Sequence, residues 1–282
     1  MAHRPRQFAA RNADNRCDDA LQRAMLALNS GRPREAEAIV GAVLKADPRH
    51  LRALHIFGTA QLMLGHTEEA VAALEQAARG RHDAEIDTIL AIALRQAGRS
   101  DEAYARLKQA IKRRPPYAVA YHELGCLLFS LGRYDEAIAT FRDGLAVAPM
   151  MPELSIQLGN VFLRCRNCAE ARTAFARALD ISPHSPEALF GMAKSHQEVG
   201  ENQEAAEYFR RYLMGRPDDS AAWLNLGHCL LELGDRETGY GCFRTAARGD
   251  AKRFGTALTS LAASARGRFW LKQSAAERFL RR

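Results

Sequence analysis

The sequence predicts an all-α chain: a right-handed α-solenoid, or superhelix, of helix-turn-helix repeats with a C-terminal capping helix. Three observations carry this. Ala and Leu abound while β-branched and aromatic runs are scarce, which favours helix. Small residues recur at Ala24, Gly58, Ala91, Gly125, Gly159, Ala193 and Gly227, spaced by 34, 33, 34, 34, 34 and 34 residues. Each is followed twelve positions on by Ala36, Ala70, Ala103, Ala137, Ala171, Ala205 or Gly239. Third, a Gly stands seven positions after six of the seven, at Gly31, Gly65, Gly98, Gly132, Gly200 and Gly234. Gly is about 7% of ordinary sequence, so that coincidence has a chance on the order of 10⁻⁵ and the repeat is real. Repetition also explains a length of 282 residues, beyond one ordinary domain, in a chain that is 47% hydrophobic and 26% charged.

Residues 1–16, MAHRPRQFAARNADNR, hold four Arg against one Asp and are expected to be a flexible basic segment. They contain no apolar run, so no secretory leader is expected. Seven units then follow, at 17–50, 51–83, 84–117, 118–151, 152–185, 186–219 and 220–253. Unit four shows the logic. Its first apolar stretch includes Tyr121, Leu124, Leu127, Leu128 and Leu131, and its second Ala137, Ile138, Phe141 and Leu145. Gly132 can take the left-handed conformation that ends the first helix. Asp135 and Glu136 fall in the first turn of the second, where the helix dipole favours acids, as do Glu68-Glu69 and Asp101-Glu102. Small residues at Gly125 and Ala137 let the pair approach closely. Pro149 closes the unit, as Pro48, Pro115, Pro183 and Pro217 close theirs. Such a pair buries too little to fold alone, so neighbours must stack.

Two departures are expected to show locally. Arg166 stands where the turn Gly belongs, so either it or Asn167 must turn left-handed. The second unit is one residue short around Gly80–Asp83, with His82 at its Pro place. After the repeats, 254–282 should form a capping helix over 254–265, a break at Gly267, and a basic final helix opened by the capping box Ser274-Ala275-Ala276-Glu277.

Trp223-x-x-Leu226-Gly227, Tyr121-x-x-Leu124-Gly125, Ala137-x-x-x-Phe141 and Pro149 resemble the tetratricopeptide repeat (TPR) family over roughly residues 17–253. The resemblance implies that a final helix covers the apolar face of the last unit. It also implies that positions 2, 5, 6, 9, 12 and 13 of each unit line a concave groove. The groove residues so implied are His122, Gln157, Asn160, Arg164, Phe190, Lys194, Asn225 and His228, with Leu224 adding apolar contact. Asn and Gln amides can pair with an extended peptide backbone, and Lys194 or Arg164 can hold an acid. A chaperone-type carboxylate clamp is not expected: Asn160 matches one clamp Asn, but Ile156, Gly191 and Ala221 stand where Lys, Asn and Lys would be needed.

The expected function is therefore a non-catalytic protein-interaction scaffold with a protein or peptide partner. No cofactor, metal or small-molecule substrate is expected. Cys165-Arg166-Asn167-Cys168 is a lone CxxC without further ligands nearby, and Cys165 falls at the repeat place of Leu64, Leu131, Val199 and Leu233, which reads as an apolar packing position. Glu123 follows His122 directly, so the two are not expected to share a helix face. No HExxH, G-x-S-x-G or phosphate-binding loop occurs.

Six cysteines suit a reduced, cytoplasmic setting, and no run of about 18 apolar residues suggests a membrane span. Net charge +7 is uneven: the first 16 residues contribute +3, and residues 244–282, with ten Lys and Arg against two acids, contribute +8, leaving the middle at −4. That argues against a uniform nucleic-acid surface. Two alternatives stay open. One is the recognition arm of a transferase-type complex, although about thirty residues past the repeats are too few for a catalytic domain. The other is an adaptor tethered to anionic membrane or RNA by a basic tail of Arg266, Arg268, Lys272, Arg278, Arg281 and Arg282, whose neighbours Phe269, Trp270, Leu271, Phe279 and Leu280 would otherwise pack on the last unit.

Overall fold

The computed structural model describes residues 4–80, 83–248, 251–263 and 273–281, and every regular element among them is a helix. The chain divides into two compact units, Met1–Arg133 and Tyr134–Arg282. The first holds α1 (Arg4–Asn29), α2 (Pro33–Ala46), α3 (Leu51–Leu64), α4 (Thr67–Gly80), α5 (Ala84–Gln96), α6 (Ser100–Ala110) and α7 (Ala118–Ser130). Each helix touches the next, and the first helices of successive pairs, α1, α3, α5 and α7, also touch in turn. Helix α1 begins at Arg4, within the stretch 1–16 that the sequence set apart as a basic segment. Pro5 falls in the first turn, where its missing N–H costs nothing, and neither Gly nor Pro interrupts the chain from Arg6 to Ser30.

The second unit holds α8 (Tyr134–Val147), α9 (Pro152–Arg164), α10 (Cys168–Ile181), α11 (Pro186–Glu198), α12 (Asn202–Gly215), α13 (Ser220–Glu232), α14 (Arg236–Ala247), α15 (Ala251–Ala263) and α16 (Gln273–Leu280). Successive helices again touch, and α9 touches α11. Phe141, Phe175, Phe209 and Phe243, one each from α8, α10, α12 and α14, are fully buried. Their rings explain the small residues opposite. A β-carbon on Gly159 would lie 2.7 Å from the Phe175 ring, and one on Gly191 only 2.3 Å from it, so Phe175 is wedged between α9 and α11. Gly227 faces Phe243 in the same way.

The turns follow the Gly pattern, with positive φ at all six marked glycines. Arg166 is the residue that turns left-handed in the unit without Gly (φ 58°), while Asn167 stays at φ −92°. The backbone bonds are those of the Gly turns: Arg166 N–H reaches Leu163 O at 3.0 Å and Asn167 N–H reaches Phe162 O at 2.8 Å. In the shortened second unit, Asp83 caps α5, its side chain accepting from Glu85 N–H at 3.0 Å; His82 lies outside the described residues.

The residue before the turn is a packing position in some units only: Leu64 and Ala97 are partly buried. Leu131, Val199 and Leu233 are 48–49% exposed, and Cys165 at the same place is exposed too.

Helices α15 and α16 lie on the last pair. Ala257, Ala276 and Leu280 join Leu224, Leu231, Phe243 and Ala246 in one buried cluster, with Phe254 and Phe279 packed against it.

Candidate functional site

Helices α9, α11 and α13 carry seven of the eight residues expected to line a groove. Asn160 donates through Nδ2 to Gln157 Oε1 at 3.2 Å, one turn back on α9, so the two amides form a pair rather than pointing independently. Arg164, exposed at the end of α9, donates through Nε to the Tyr134 hydroxyl at 3.3 Å.

On α11, the half-buried Lys194 donates through Nζ to Gln197 Oε1 at 2.9 Å. Gln197 in turn donates through Nε2 to Cys229 Sγ at 3.6 Å, which ties α11 to α13. Gln197 belongs to the site although the sequence reading passed it over. It sits three residues after Lys194, one turn along the same face, and that spacing was the available signal. Among the described residues no carboxylate lies within ion-pairing distance of Lys194. Burial holds His228 below the ordinary imidazole range; Glu232 opposes this, and Lys194 adds to it more weakly. Burial likewise pushes the Cys229 thiol up to about 11.

Three groove residues are more committed than the sequence suggested. Phe190 is half-buried, its ring edge-on to Phe209 at 5.7 Å and tilted against Tyr212 at 5.2 Å, so it packs mainly on α12. Leu224 is 8% exposed and belongs to the terminal core cluster, which leaves little of it for a groove contact. Asn225 gives its Nδ2 to Ala221 O one turn back (2.9 Å). The His228 ring meets Phe243 edge-on at 5.0 Å.

His122 lies in the other unit, on α7, and corrects another expectation. Its Nδ1 donates to Glu123 Oε1 at 3.1 Å, although the two are consecutive. Neighbouring residues point about 100° apart on a helix, but a Glu side chain is long enough to reach back across that gap. Glu123 also pairs with Arg95 at 3.6 Å, and Cys126 Sγ lies 3.7 Å from His122 Nε2. The contacts with Cys126 and then Glu123 raise the His122 pKa well above its ordinary value, against the effect of burial.

Of the basic tail, Arg278 is exposed and Arg281 lies over the Phe254 ring at 5.1 Å. Arg266, Arg268, Lys272 and Arg282 lie outside the described residues, as do Phe269, Trp270 and Leu271. Phe279 packs edge-on against Tyr240 at 5.3 Å, with Arg244 over its ring at 5.1 Å. The aromatic side chains of α16 that are described thus face the last repeat. Among the described residues, no helix is long and apolar enough to cross a membrane.

Helix pairs repeating every 34 residues, with polar side chains along the first helices, define a class: the repeat scaffolds that bind protein or peptide partners. Three family models described as tetratricopeptide repeat match residues 27–92, 82–150, and 122–186 with 190–237. The chain belongs to the tetratricopeptide repeat family.

Solved structures share the fold. PilF of Pseudomonas aeruginosa is 20% identical, covering 73% of this chain and 96% of its own, with a TM-score of 0.64. PilW, a type IV pilus biogenesis factor, is 21% identical over 76% of this chain and 98% of its own, at 0.67. TTC0263, a thermophilic TPR protein of Thermus thermophilus, is 24% identical over 64% and 98%, at 0.54. No curated protein has a matching sequence.

Proposed function

We propose that the unit Tyr134–Arg282 is a non-catalytic scaffold that holds a segment of a partner protein along α9, α11 and α13. The observation that carries this is Lys194: a half-buried side chain whose ammonium is bonded to a neutral amide, with no carboxylate in ion-pairing distance among the described residues. A protein rarely half-buries a charge without a partner, and an acidic group on a docked segment would complete the site. The Gln157–Asn160 amide pair, one first-helix over, offers donor and acceptor to the segment's backbone. Arg164 adds a second cation at the rim, and Asn225 and His228 extend the polar row along α13.

Affinity then comes from several modest contacts rather than one deep site. No nucleic acid, cofactor or small-molecule substrate is part of this reading, and His122 with Glu123 and Arg95 forms a separate charged surface on α5 and α7.

Asn160→Ala combined with Lys194→Glu tests it. Both side chains leave the core intact, so far-UV circular dichroism should match wild type. Capture of the partner, followed by pull-down and mass spectrometry, should fall about tenfold or more. Undiminished capture by a folded double variant would falsify the groove.

A further inference from the structure

A cavity of about 470 Å³ opens among α8, α9 and α10, lined by Leu145, Ala146, Ser155, Leu158, Phe162 and Ala174, with Arg142, Arg177, Glu170 and Thr173 also bordering it. It is on the other face of α9 from the proposed groove. Ser155, Leu158 and Phe162 recur at three and four residues, as do Gln157, Asn160 and Arg164, and the two rows point in roughly opposite directions.

The repeat shows which side chains this place can hold. Ser155 is the fourth residue of its unit, and the fourth residues of the seven units are Ala20, Leu54, Asp87, Tyr121, Ser155, Leu189 and Trp223. Two of these are aromatic, and both use the place fully. Tyr121 is buried and donates its hydroxyl to Ile111 O at 3.2 Å; Ile111 holds the repeat place that Leu145 holds at the cavity. Trp223 packs on the cluster containing Leu213, which holds that same place again, and donates Nε1–H to Pro217 O at 2.7 Å. At Ser155 the ring is replaced by a hydroxymethyl group at the floor of the cavity. The Ser155 side chain is fully buried and its hydroxyl has no hydrogen-bond partner, which is costly unless something supplies one.

We propose that this cavity is an anchor pocket for an aromatic side chain, Trp or Tyr, of a partner protein segment that carries a carboxylate beside the aromatic. The chain's own Tyr121 and Trp223 are the template: each spends its O–H or N–H on a backbone carbonyl, Tyr121 on that of the residue equivalent to Leu145, while Trp223 packs on the cluster that holds another equivalent, Leu213. An incoming ring meets Leu145, Leu158, Phe162 and Ala174, and the Ser155 hydroxyl beneath them becomes its partner once the ring displaces these neighbours. Arg142 and Arg177 make the mouth cationic against the single acid Glu170. Arg142 already lies 5.8 Å over the Phe162 ring, and Arg177 donates to Pro149 O at 3.1 Å, so both are placed beside the opening and a neighbouring carboxylate would meet them. Buried aromatic anchors are the usual carriers of interface energy.

The test uses the full chain and two fluorescein-labelled peptides, Asp-Trp-Asp and Asp-Ala-Asp, read by fluorescence anisotropy. Wild type should bind the Trp peptide at least about tenfold more tightly than the Ala peptide. Ser155→Leu puts at this place the residue that Leu54 and Leu189 already have, so it should fold, melt no lower than wild type, and bind the Trp peptide about tenfold or more weakly. Arg142→Glu with Arg177→Glu, both at exposed positions, should also weaken it about fivefold or more. Equal affinity for the two peptides, no binding at about 1 mM, or an unaltered affinity in either variant overturns the proposal. If Ser155→Leu loses helicity, the peptide comparison and the charge reversal decide it by the same criteria.

Discussion

Arg166 is the residue at which the repeat's backbone and its side chain disagree. Every other turn in the series uses Gly, which enters the left-handed region without a β-carbon clash; Arg166 enters it at φ 58° and still makes the two closing bonds. A non-Gly residue there costs about 1–2 kcal/mol, partly offset because Gly is more flexible when unfolded. Arg166→Gly should therefore stabilise the chain by about 0.5–1 kcal/mol in urea unfolding; a loss of stability would mean that the Arg side chain contributes more than its turn costs. The sequence left Arg166 and Asn167 open because both satisfy the spacing, and only the φ angle separates them. The His122–Glu123 contact was hidden for a related reason. Helical spacing reports where a β-carbon points, not how far a long side chain can return. The three-residue spacing from Lys194 put Gln197 within sight, but its bond to Cys229 in another helix is encoded by no spacing within α11.

At the scale of the helix, what was legible was the face that packs. The 34-residue spacing located the Gly and Phe places correctly, because a ring wedged between two helices leaves no room for a β-carbon opposite, as at Gly159 and Gly191. Gly191 also shows why a clamp Asn cannot stand at that place: any β-carbon would run into Phe175. Exposure at helix ends was less legible, since Leu131, Val199 and Leu233 look like core residues by type alone. The Ser155 cavity was visible in principle as the smallest polar residue in a series containing Tyr121 and Trp223, but its size depends on how far α8 and α10 fail to close over it.

The terminal helix allows a direct check of packing against charge. Leu280 is 6% exposed within the cluster built on α13 and α14, whereas Arg278, two residues earlier, is exposed. Leu280→Asp should lower stability by about 2–4 kcal/mol, while Arg278→Asp should stay within about 0.5 kcal/mol of wild type. Equal effects from the two would mean that α16 is held by its cations rather than by its apolar face.

Across a whole unit, the contacts run mainly between a helix and the one or two that follow it. Stability in such an array is a sum of local pair terms and neighbour interfaces, so damage should stay near its origin. Within Tyr134–Arg282, Phe243 is the fully buried ring of α14 and touches the cluster shared by α13, α15 and α16. Phe243→Ala removes it at a cost of about 3–5 kcal/mol. Native-state hydrogen exchange should then show amide protection falling in α13 to α16, while α8 and α9 keep theirs. The same locality bears on function. A partner segment lying along α9, α11 and α13 would bridge interfaces that the chain joins only pairwise, so binding should raise protection in α9 and α13 together. A uniform loss across α8 to α16 in Phe243→Ala would instead show that the unit unfolds as a single cooperative block, and a groove ligand could then stabilise it only as a whole.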